Sequence, residues 1–351
     1  MLRHFFIVGI MSDIFNKLLI LRTPQIGPVK YNKLVEKFGS VDAVVDAISP
    51  SAVVRDSVSR EMETAARLNI TYISDSDDLY PRALYDVPNH PPVITARGNL
   101  ETLRRRAFGI VGTRHATATG MGFVADLACE FALRGIAVVS GMAIGTDTAA
   151  HRGAMRASGN TQTIAVLGGG VDYIWPVENE SLYYEIIERG VVVSEMPVGF
   201  VPNGSNFVMR NRWIAGMVEK LILGEADLKS GSMTTARFAI ETNRELWAIP
   251  SHPADSRSLG PNSLIASGAA KLCMGVGDFF DMDKKSIPVT KKNTGTNESE
   301  NDVLDKLGTI PVSESVLTQI VKKSVSEIKR DLVVLELRGI IKKVDGGYIK
   351  L

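Results

Sequence analysis

The sequence predicts an α/β protein: an extended Rossmann-like parallel sheet core with a small N-terminal helical domain and a C-terminal winged helix. Two patterns predict the core. Five short apolar runs, Phe108–Val111, Ile136–Val139, Ile164–Leu167, Val191–Val193 and Leu221–Leu223, each end in a glycine-rich or small polar turn. Stretches of helical length and period separate them, which reads as strand–helix–strand units with right-handed crossovers and helices on both faces of the sheet. A third pattern, helical spacing near both ends of the chain, predicts the appendages. In such sheets ligands bind beyond the carboxyl ends of the strands, where loop backbone and helix N-termini converge.

Composition sets the outer bounds. At 351 residues the chain suits a core plus appendages. Apolar content of 45% with 23% charged residues is ordinary for a soluble globular protein. A net charge of +1 excludes the bulk attraction of a histone-like protein, but leaves room for a local stripe of Lys and Arg. Cys129 and Cys273 lie far apart with no second ligand at metal spacing, so they read as reduced thiols in a cytoplasmic protein. No run approaches the ~20 apolar residues of a membrane span. The opening Arg3–Met11 superficially resembles a signal peptide, but Ser12-Asp13 follows where a small-residue cleavage site would stand. A disordered tail, or translation from Met11, is expected instead.

Taken in order, residues 12–72 form the helical domain. Leu18, Leu19, Leu21, Leu34, Val35 and Phe38 recur at helical spacing, and Pro24-Gln25-Ile26-Gly27-Pro28 breaks the pattern with a tight turn. Two short helices joined by an Ile-Gly-Pro turn match a helix–hairpin–helix module, whose turn amides can hold a DNA phosphate. A helical cap on the core fits equally. The core spans residues 73–281. It opens with a connector to residue 107 containing Tyr80-Pro81, Pro88 and Pro91-Pro92, read as an extended strap because each proline forces its neighbour out of helix. Residues 282–300 are polar and charged with almost no apolar side chain, hence a flexible linker. From 301 to 351, three short amphipathic helices, Val303–Leu307, Val316–Val321 and Ile328–Leu337, precede a hairpin turning at Asp345-Gly346-Gly347. That order outlines a winged helix. Its charge balance is nearly even, so a protein-interaction role is at least as well supported as DNA contact.

Four loops at the strand exits carry candidate binding residues. Gly112 and Thr113 let phosphate approach the backbone, and Arg114 adds bidentate charge-assisted bonds. The spacing is not Gly-x-Gly-x-x-Gly, and no Lys-Ser/Thr pair completes a Walker loop. No nicotinamide or ATP cofactor is therefore predicted, nor any metal. Ser140, Gly141 and Gly145 line the next exit, followed by Asp147 and His151, which share a helix face. That pair suits general acid–base chemistry. No nucleophile or metal set accompanies it, however, and the favoured reading is that Asp147 caps helix amides while His151 packs against the next loop. Arg210 and Arg212 flank Asn211 at what reads as the beginning of a helix. Lys229, Ser230, Gly231 and Ser232 form the last cationic loop, where Ser230 and Ser232 are candidate caps at a helix N-terminus that attracts anions.

With these motifs in this order, the chain resembles the DNA-processing protein A (DprA/Smf) family of bacteria. The resemblance runs from about Leu79 to Gly268. It includes Tyr80-Pro81, Val111–Arg114, Ser140–Asp147 with His151, Gly168–Gly170 with Asp172 and Pro176, and Ser194-Glu195. It continues through Arg210-Asn211-Arg212, Glu225-Ala226, Lys229–Ser232, and Gly260 with Asn262. The resemblance implies a non-enzymatic, homodimeric core that binds single-stranded DNA and hands it to the RecA recombinase during natural transformation. By motif match, Arg114, Arg210, Asn211, Lys229, Ser230, Gly231 and Ser232 take the DNA-contacting role. The chain departs from the family at Ile144, often basic there, and at Trp175, Val208 and Ser251, where Tyr, Pro and Gly are usual. Trp175 keeps an aromatic face for base stacking, and a core role fits it about as well. Two rival readings remain: an enzyme acting on a nucleotide or nucleotide-sugar through Asp147, His151 and Glu225, and a transcription factor using the winged helix.

Overall fold

Four helices open the chain: α1 (Leu2–Arg22), α2 (Pro28–Phe38), α3 (Val41–Ile48) and α4 (Ala52–Arg67). The structure is a computed structural model that describes residues 2–157, 163–280, 298–308 and 310–351, with residues 2–11, 298 and 299 described by backbone alone. The helical reading of the N-terminal segment therefore stands, with more helices than the two expected. The backbone before residue 12 continues α1, where a tail without structure was expected. Proline and serine set the boundaries. Pro28 occupies the first helical position of α2, and Ser40 and Ser51 cap the amides of α3 and α4. Leu18, Leu19, Tyr31, Val44 and Val58 form the module's own core, which also takes in Val93 of the sheet.

The sheet comprises β1 (Thr71–Ser74), β2 (Val93–Gly98), β3 (Ala107–Val111), β4 (Ala137–Ser140), β5 (Thr163–Val166), β6 (Val191–Ser194), β7 (Lys220–Leu223), β8 (Glu245–Ala248) and β9 (Lys271–Leu272). Their spatial order is β1-β2-β6-β5-β4-β3-β7-β8-β9. The pairs from β6 to β9 are all parallel, whereas β1 and β2 join antiparallel. The helices α5 (Ala118–Leu133), α6 (Thr146–Met155), α7 (Glu180–Arg189), α8 (Gly204–Gly216), α9 (Gly231–Glu241) and α10 (Leu259–Ala266) connect the parallel strands. Side-chain alternation shows both faces covered. Phe108, Ile110, Val138 and Ile222 pack on one side, while Val111, Val139, Leu221 and Leu223 pack on the other.

All five predicted runs are strands of this sheet, and their turns open at one edge. Two readings need correction. The connector before residue 107 is not a strap over the core, because it supplies β1 and β2, and its prolines fall between those strands. The sheet also extends past β7 through β8 and the two-residue β9, neither of which is among the five runs; β8 exits through Ile249-Pro250 without glycine. The chain reverses direction across the sheet at β3. The order runs outward through β4, β5 and β6, then returns to place β7 on β3's other side. The β3–β7 crevice is thus the topological switch point.

A second compact unit spans residues 281–351. It contains α11 (Glu298–Leu304), α12 (Glu314–Val321), α13 (Val325–Leu337), β10 (Ile341–Val344) and β11 (Gly347–Lys350), with the two strands paired antiparallel. Its core is Val303, Leu304, Leu307, Leu317, Ile328, Leu332, Leu335, Ile341 and Tyr348. Most of the predicted linker lies outside the described residues. Its last residues belong to α11, which begins at Glu298 instead of Val303. Val316 and Ile320 are exposed, on the face of α12 away from Leu317. No helix among the described residues is long and apolar enough to cross a membrane. Cys129 and Cys273 are free, and burial pushes the Cys273 thiol up to about 12.

One close contact between helices is testable. A Cβ on Gly153 of α6 would stand 2.2 Å from the Ala125 carbonyl oxygen and 2.6 Å from its Cα, both backbone atoms of α5. Gly153→Ala should therefore cost ~1–3 kcal/mol, the usual range for overpacking, read as a lower urea midpoint with an unchanged m-value.

Candidate nucleic-acid interface

Site geometry begins with a buried guanidinium. Arg210 lies in the middle of α8, 6% exposed, and one terminal nitrogen donates both to the Gly141 carbonyl at 2.7 Å and to the Val166 carbonyl. It thereby ties the carboxyl ends of β4 and β5 to α8. Asp147 holds the same loop from the other direction, accepting from the Gly141 and Ala143 amides at 3.2 Å each. Burial pushes the Asp147 carboxyl up, and the Arg210 guanidinium draws it back. Burial also brings Arg210 down to about 10, still charged at neutral pH. A Cβ on Gly141 would meet that guanidinium at 2.8 Å, so only glycine lets Arg210 lie so close to the strand exit.

The loops above this floor brace one another. Gly145 adopts φ 79°, and a side chain there would strike the Thr113 and Arg114 carbonyls at 2.6 Å. Thr146 donates from both its amide and its hydroxyl to the Thr113 carbonyl, at 3.2 and 3.1 Å. The Thr113 amide in turn donates to the Glu225 carbonyl at 2.6 Å. The Glu225 carboxylate accepts from the Thr117 amide at 2.7 Å and from its hydroxyl at 2.5 Å, closing off the N-terminus of α5. Ser140 is buried and donates to the Ile110 carbonyl at 2.7 Å.

Val111 to His115, Trp175, Phe207, Arg210, Asn211, Ile214, Asp227, Lys229 to Ser232 and Thr235 line an open depression of about 600 Å³ at the switch point. Of the residues expected from sequence, Gly112, Thr113, Arg114, Arg210, Asn211, Lys229, Ser230, Gly231 and Ser232 come together here. Arg114 and Lys229 are exposed cations. The Arg114 guanidinium stands 5.2 Å from the Trp175 ring centroid, and Trp175 lies 4.4 Å from the Phe207 ring. Ser230 caps α9, with its oxygen accepting from the Ser232 amide at 3.3 Å. Asn211 reaches across to the Gly231 carbonyl at 3.4 Å. Asp227 places one carboxylate on the rim.

Four expected residues do not line the depression: Ser140, Gly141, Gly145 and Arg212. The first three form its supporting loops. Arg212 points elsewhere, 3.5 Å from Glu195 and 4.0 Å from the Trp213 ring centroid. The reason is helical geometry. Arg210 and Arg212 sit inside α8, which Asn203 caps seven residues before Arg210, and positions two apart on a helix face opposite ways. Phe207, Arg210, Asn211 and Ile214 follow the i, i+3, i+4, i+7 stripe and all face the depression. Applied to α8, that spacing marks Phe207 and Ile214 as lining residues and leaves Arg212 out.

The acid–base candidates are all occupied by structure. Asp147 receives loop amides where capping of helix amides was expected, and Glu225 receives Thr117. His151 is 0% exposed. The Thr163 hydroxyl donates to the Val138 carbonyl at 3.0 Å, so in their 2.8 Å contact His151 Nδ1 must donate to Thr163. Nε2 is then the unprotonated ring nitrogen and has no partner. Among the described residues no His, Cys, Asp and Glu cluster suits a metal.

A family model described as DNA recombination-mediator protein A matches residues 71–282. The chain belongs to this DprA family. A second model, the DprA-like N-terminal HHH domain, matches residues 12–70. Protein Smf of Escherichia coli is 32% identical over 290 residues, covering 80% of this chain and 77% of that protein. Protein Smf of Synechocystis is 34% identical over 255 residues, and there the match spans 72% of this chain but only 57% of the relative. Among solved structures, DprA of Streptococcus pneumoniae superimposes with a TM-score of 0.65 at 30% identity, covering 76% of this chain and 97% of that one. DprA of Helicobacter pylori, described for its single-stranded DNA binding mode, gives 0.56 at 29% identity, covering 60% and 94%.

His151 gives the DprA core a pH signature. Burial pushes the imidazole down to about 3 from its ordinary 6.5, with the Arg210 charge adding to the shift. The folded state thus resists a proton that the unfolded chain accepts. The stability this provides is complete above about pH 6.5 and lost as pH falls toward 3, at roughly 1.4 kcal/mol per pH unit. Thermal scans from pH 7 to 4.5 should show a steeper loss for wild type than for His151→Gln, and parallel curves would refute the assignment.

Proposed function

We propose that this DprA-family chain binds single-stranded DNA across the carboxyl edge of its sheet and delivers the strand to the RecA recombinase during natural transformation, in the cytoplasm and as a homodimer. The observation that carries the DNA reading is the convergence at the switch point of two exposed cations, a helix N-terminus and an aromatic wall. Arg114 and Lys229 take backbone phosphates, and the α9 amides with Ser230 and Ser232 offer a further phosphate position. The Trp175–Phe207 face accepts an unstacked base whatever its identity, a contact worth about 1–3 kcal/mol. A depression open to solvent suits a polymer that continues past it. The family relationship, and the single-stranded DNA binding described for the Helicobacter relative, support the same reading. Residues 12–72 are the helical domain of this proposal, residues 73–281 the DNA-binding core, residues 282–300 a linker and residues 301–351 a winged-helix domain.

Binding should favour single-stranded over duplex DNA, show little sequence preference, and weaken steeply with salt as counterions are released. Arg114→Ala and Lys229→Ala should each lower affinity about tenfold or more, as expected for a charge-assisted contact of roughly 1.5–3 kcal/mol, with little change in Tm. Fluorescence anisotropy of a labelled oligonucleotide across a salt series checks all of this. Equal affinity for duplex, or a salt-independent Kd, would overturn the reading.

The core carries this activity in the proposal, so a chain ending near residue 297 should fold and retain single-stranded DNA binding. Limited proteolysis followed by the same anisotropy measurement tests it. A folded fragment that fails to bind would move the contact to the C-terminal unit.

A further inference from the structure

The helical module packs against the back of the loops that make the DNA wall. Ala65 of α4 and Ile70 share one apolar cluster with Met142 from the β4 exit, Leu167 and Val171 from the β5 exit, and Val198 from the β6 exit. Met142 is 1% exposed and holds a left-handed backbone, φ 64°, which a non-glycine residue sustains only when its surroundings fix it.

Glu61 of α4 adds a polar link to this contact. Its carboxylate takes a two-pronged bond from Arg22 of α1, at 2.8 Å on each oxygen. The same carboxylate accepts from the Tyr72 hydroxyl of β1 at 3.1 Å and from the Val198 amide at 3.3 Å. Burial and the Glu61 charge push the Tyr72 phenol up, so it remains a donor at any pH the protein meets. From Val198 the link continues through two neighbouring loops. The Gly199 amide donates to Asp172 at 2.8 Å, and the Gly170 amide donates to the Phe200 carbonyl at 2.9 Å. Asp172 and Gly170 lie in the loop that carries Trp175, whose ring meets Phe207 and the Arg114 guanidinium.

We propose that Glu61 is a positioning residue: through Val198, Gly199 and Asp172 it fixes the loop bearing Trp175, so the N-terminal module sets the shape of the DNA-binding wall without touching DNA. The proposal rests on the single-stranded DNA reading for its functional consequence, but its structural half stands in the protein alone. With the Val198 amide unheld, the 195–203 loop gains freedom, Asp172 loses a fixed partner, and Trp175 samples other positions. Affinity then falls because the aromatic wall is ordered only on binding.

The experiment uses the full chain labelled with 5-fluorotryptophan. Its three tryptophans, Trp175, Trp213 and Trp247, give separate fluorine resonances that single Trp→Phe variants assign. In Glu61→Ala without DNA, the Trp175 resonance should shift or broaden while that of Trp247, on the far side of the switch point in β8, stays in place. Affinity for a single-stranded oligonucleotide should fall about two- to thirty-fold, the span of coupling effects between packed elements. The salt dependence should be unchanged, since no phosphate contact is lost. Glu61→Gln keeps the acceptor for the Val198 amide but only one prong to Arg22, so it should recover most but not all of both readouts. If Glu61→Ala fails to fold, Arg22→Lys, which keeps the charge but loses the two-pronged grip, should give a smaller displacement of the same resonance. An unmoved Trp175 resonance overturns the proposal whatever happens to affinity, and so does a moved resonance with unchanged affinity. Should wild type itself not bind single-stranded DNA, the DNA reading fails, and the resonance of the free protein still decides whether the link exists.

Discussion

Arg210 is the interaction on which the site depends. A guanidinium at 6% exposure is costly unless its donors are matched and an opposite charge lies near. The strand exits supply both, since the Gly141 and Val166 carbonyls accept from Arg210 and Asp147 supplies the charge. Satisfying Arg210 forces the two exits to a fixed separation, requires glycine at 141, and leaves the Asn211 side of α8 facing the depression. An arginine that reads in the sequence as a phosphate ligand is thus first a structural cation, placed one layer below the exposed Arg114 and Lys229.

The sheet was legible because its strands are buried on both faces and end in small residues, so apolar run and turn coincide. Where that coincidence failed, so did the reading. The β8 segment Glu245-Leu246-Trp247-Ala248 starts with a charge and exits without glycine, yet it pairs along its whole length with β7. Strands β1 and β2 were hidden by the prolines between them. Within the site, the loops could be read residue by residue, but α8 could not be treated as a loop. Arg210-Asn211-Arg212 looks like one cationic patch in the sequence, and the 3.6-residue period splits it between two environments. In the C-terminal unit the strand's alternation turns Tyr348 into the core and leaves Ile349 half-buried.

The helical module and the sheet behave as one body in the packing. Lys17 of α1 is buried among Asp13, Asp75 and Ser74, with contacts of 2.6 to 3.0 Å, and desolvation of the ammonium is outweighed by these partners, so its pKa is raised. Val93 of β2 belongs to the helical core, and α4 reaches the loops beyond β4, β5 and β6. A module that contributes side chains to both the edge of a sheet and the back of the loops beyond its strands is part of the same packed body, whatever else its own surface recognises.

Glu225 has a consequence for which molecules are turned away. In dinucleotide-binding sheets the pyrophosphate rests on the amides that open the helix after the first strand of the switch point. Here the matching helix is α5, and its opening amide and hydroxyl at Thr117 are already given to the Glu225 carboxylate. A side chain on Gly120 would collide with that carboxylate at 2.7 Å, so the protein's own acid fills the cradle. The metabolite pool of a cell is rich in free nucleotides and dinucleotide coenzymes, all of them anions seeking such a cradle. With an internal carboxylate seated there, a diphosphate approaching α5 meets like charge, whereas the N-terminus of α9, capped by Ser230, faces the depression.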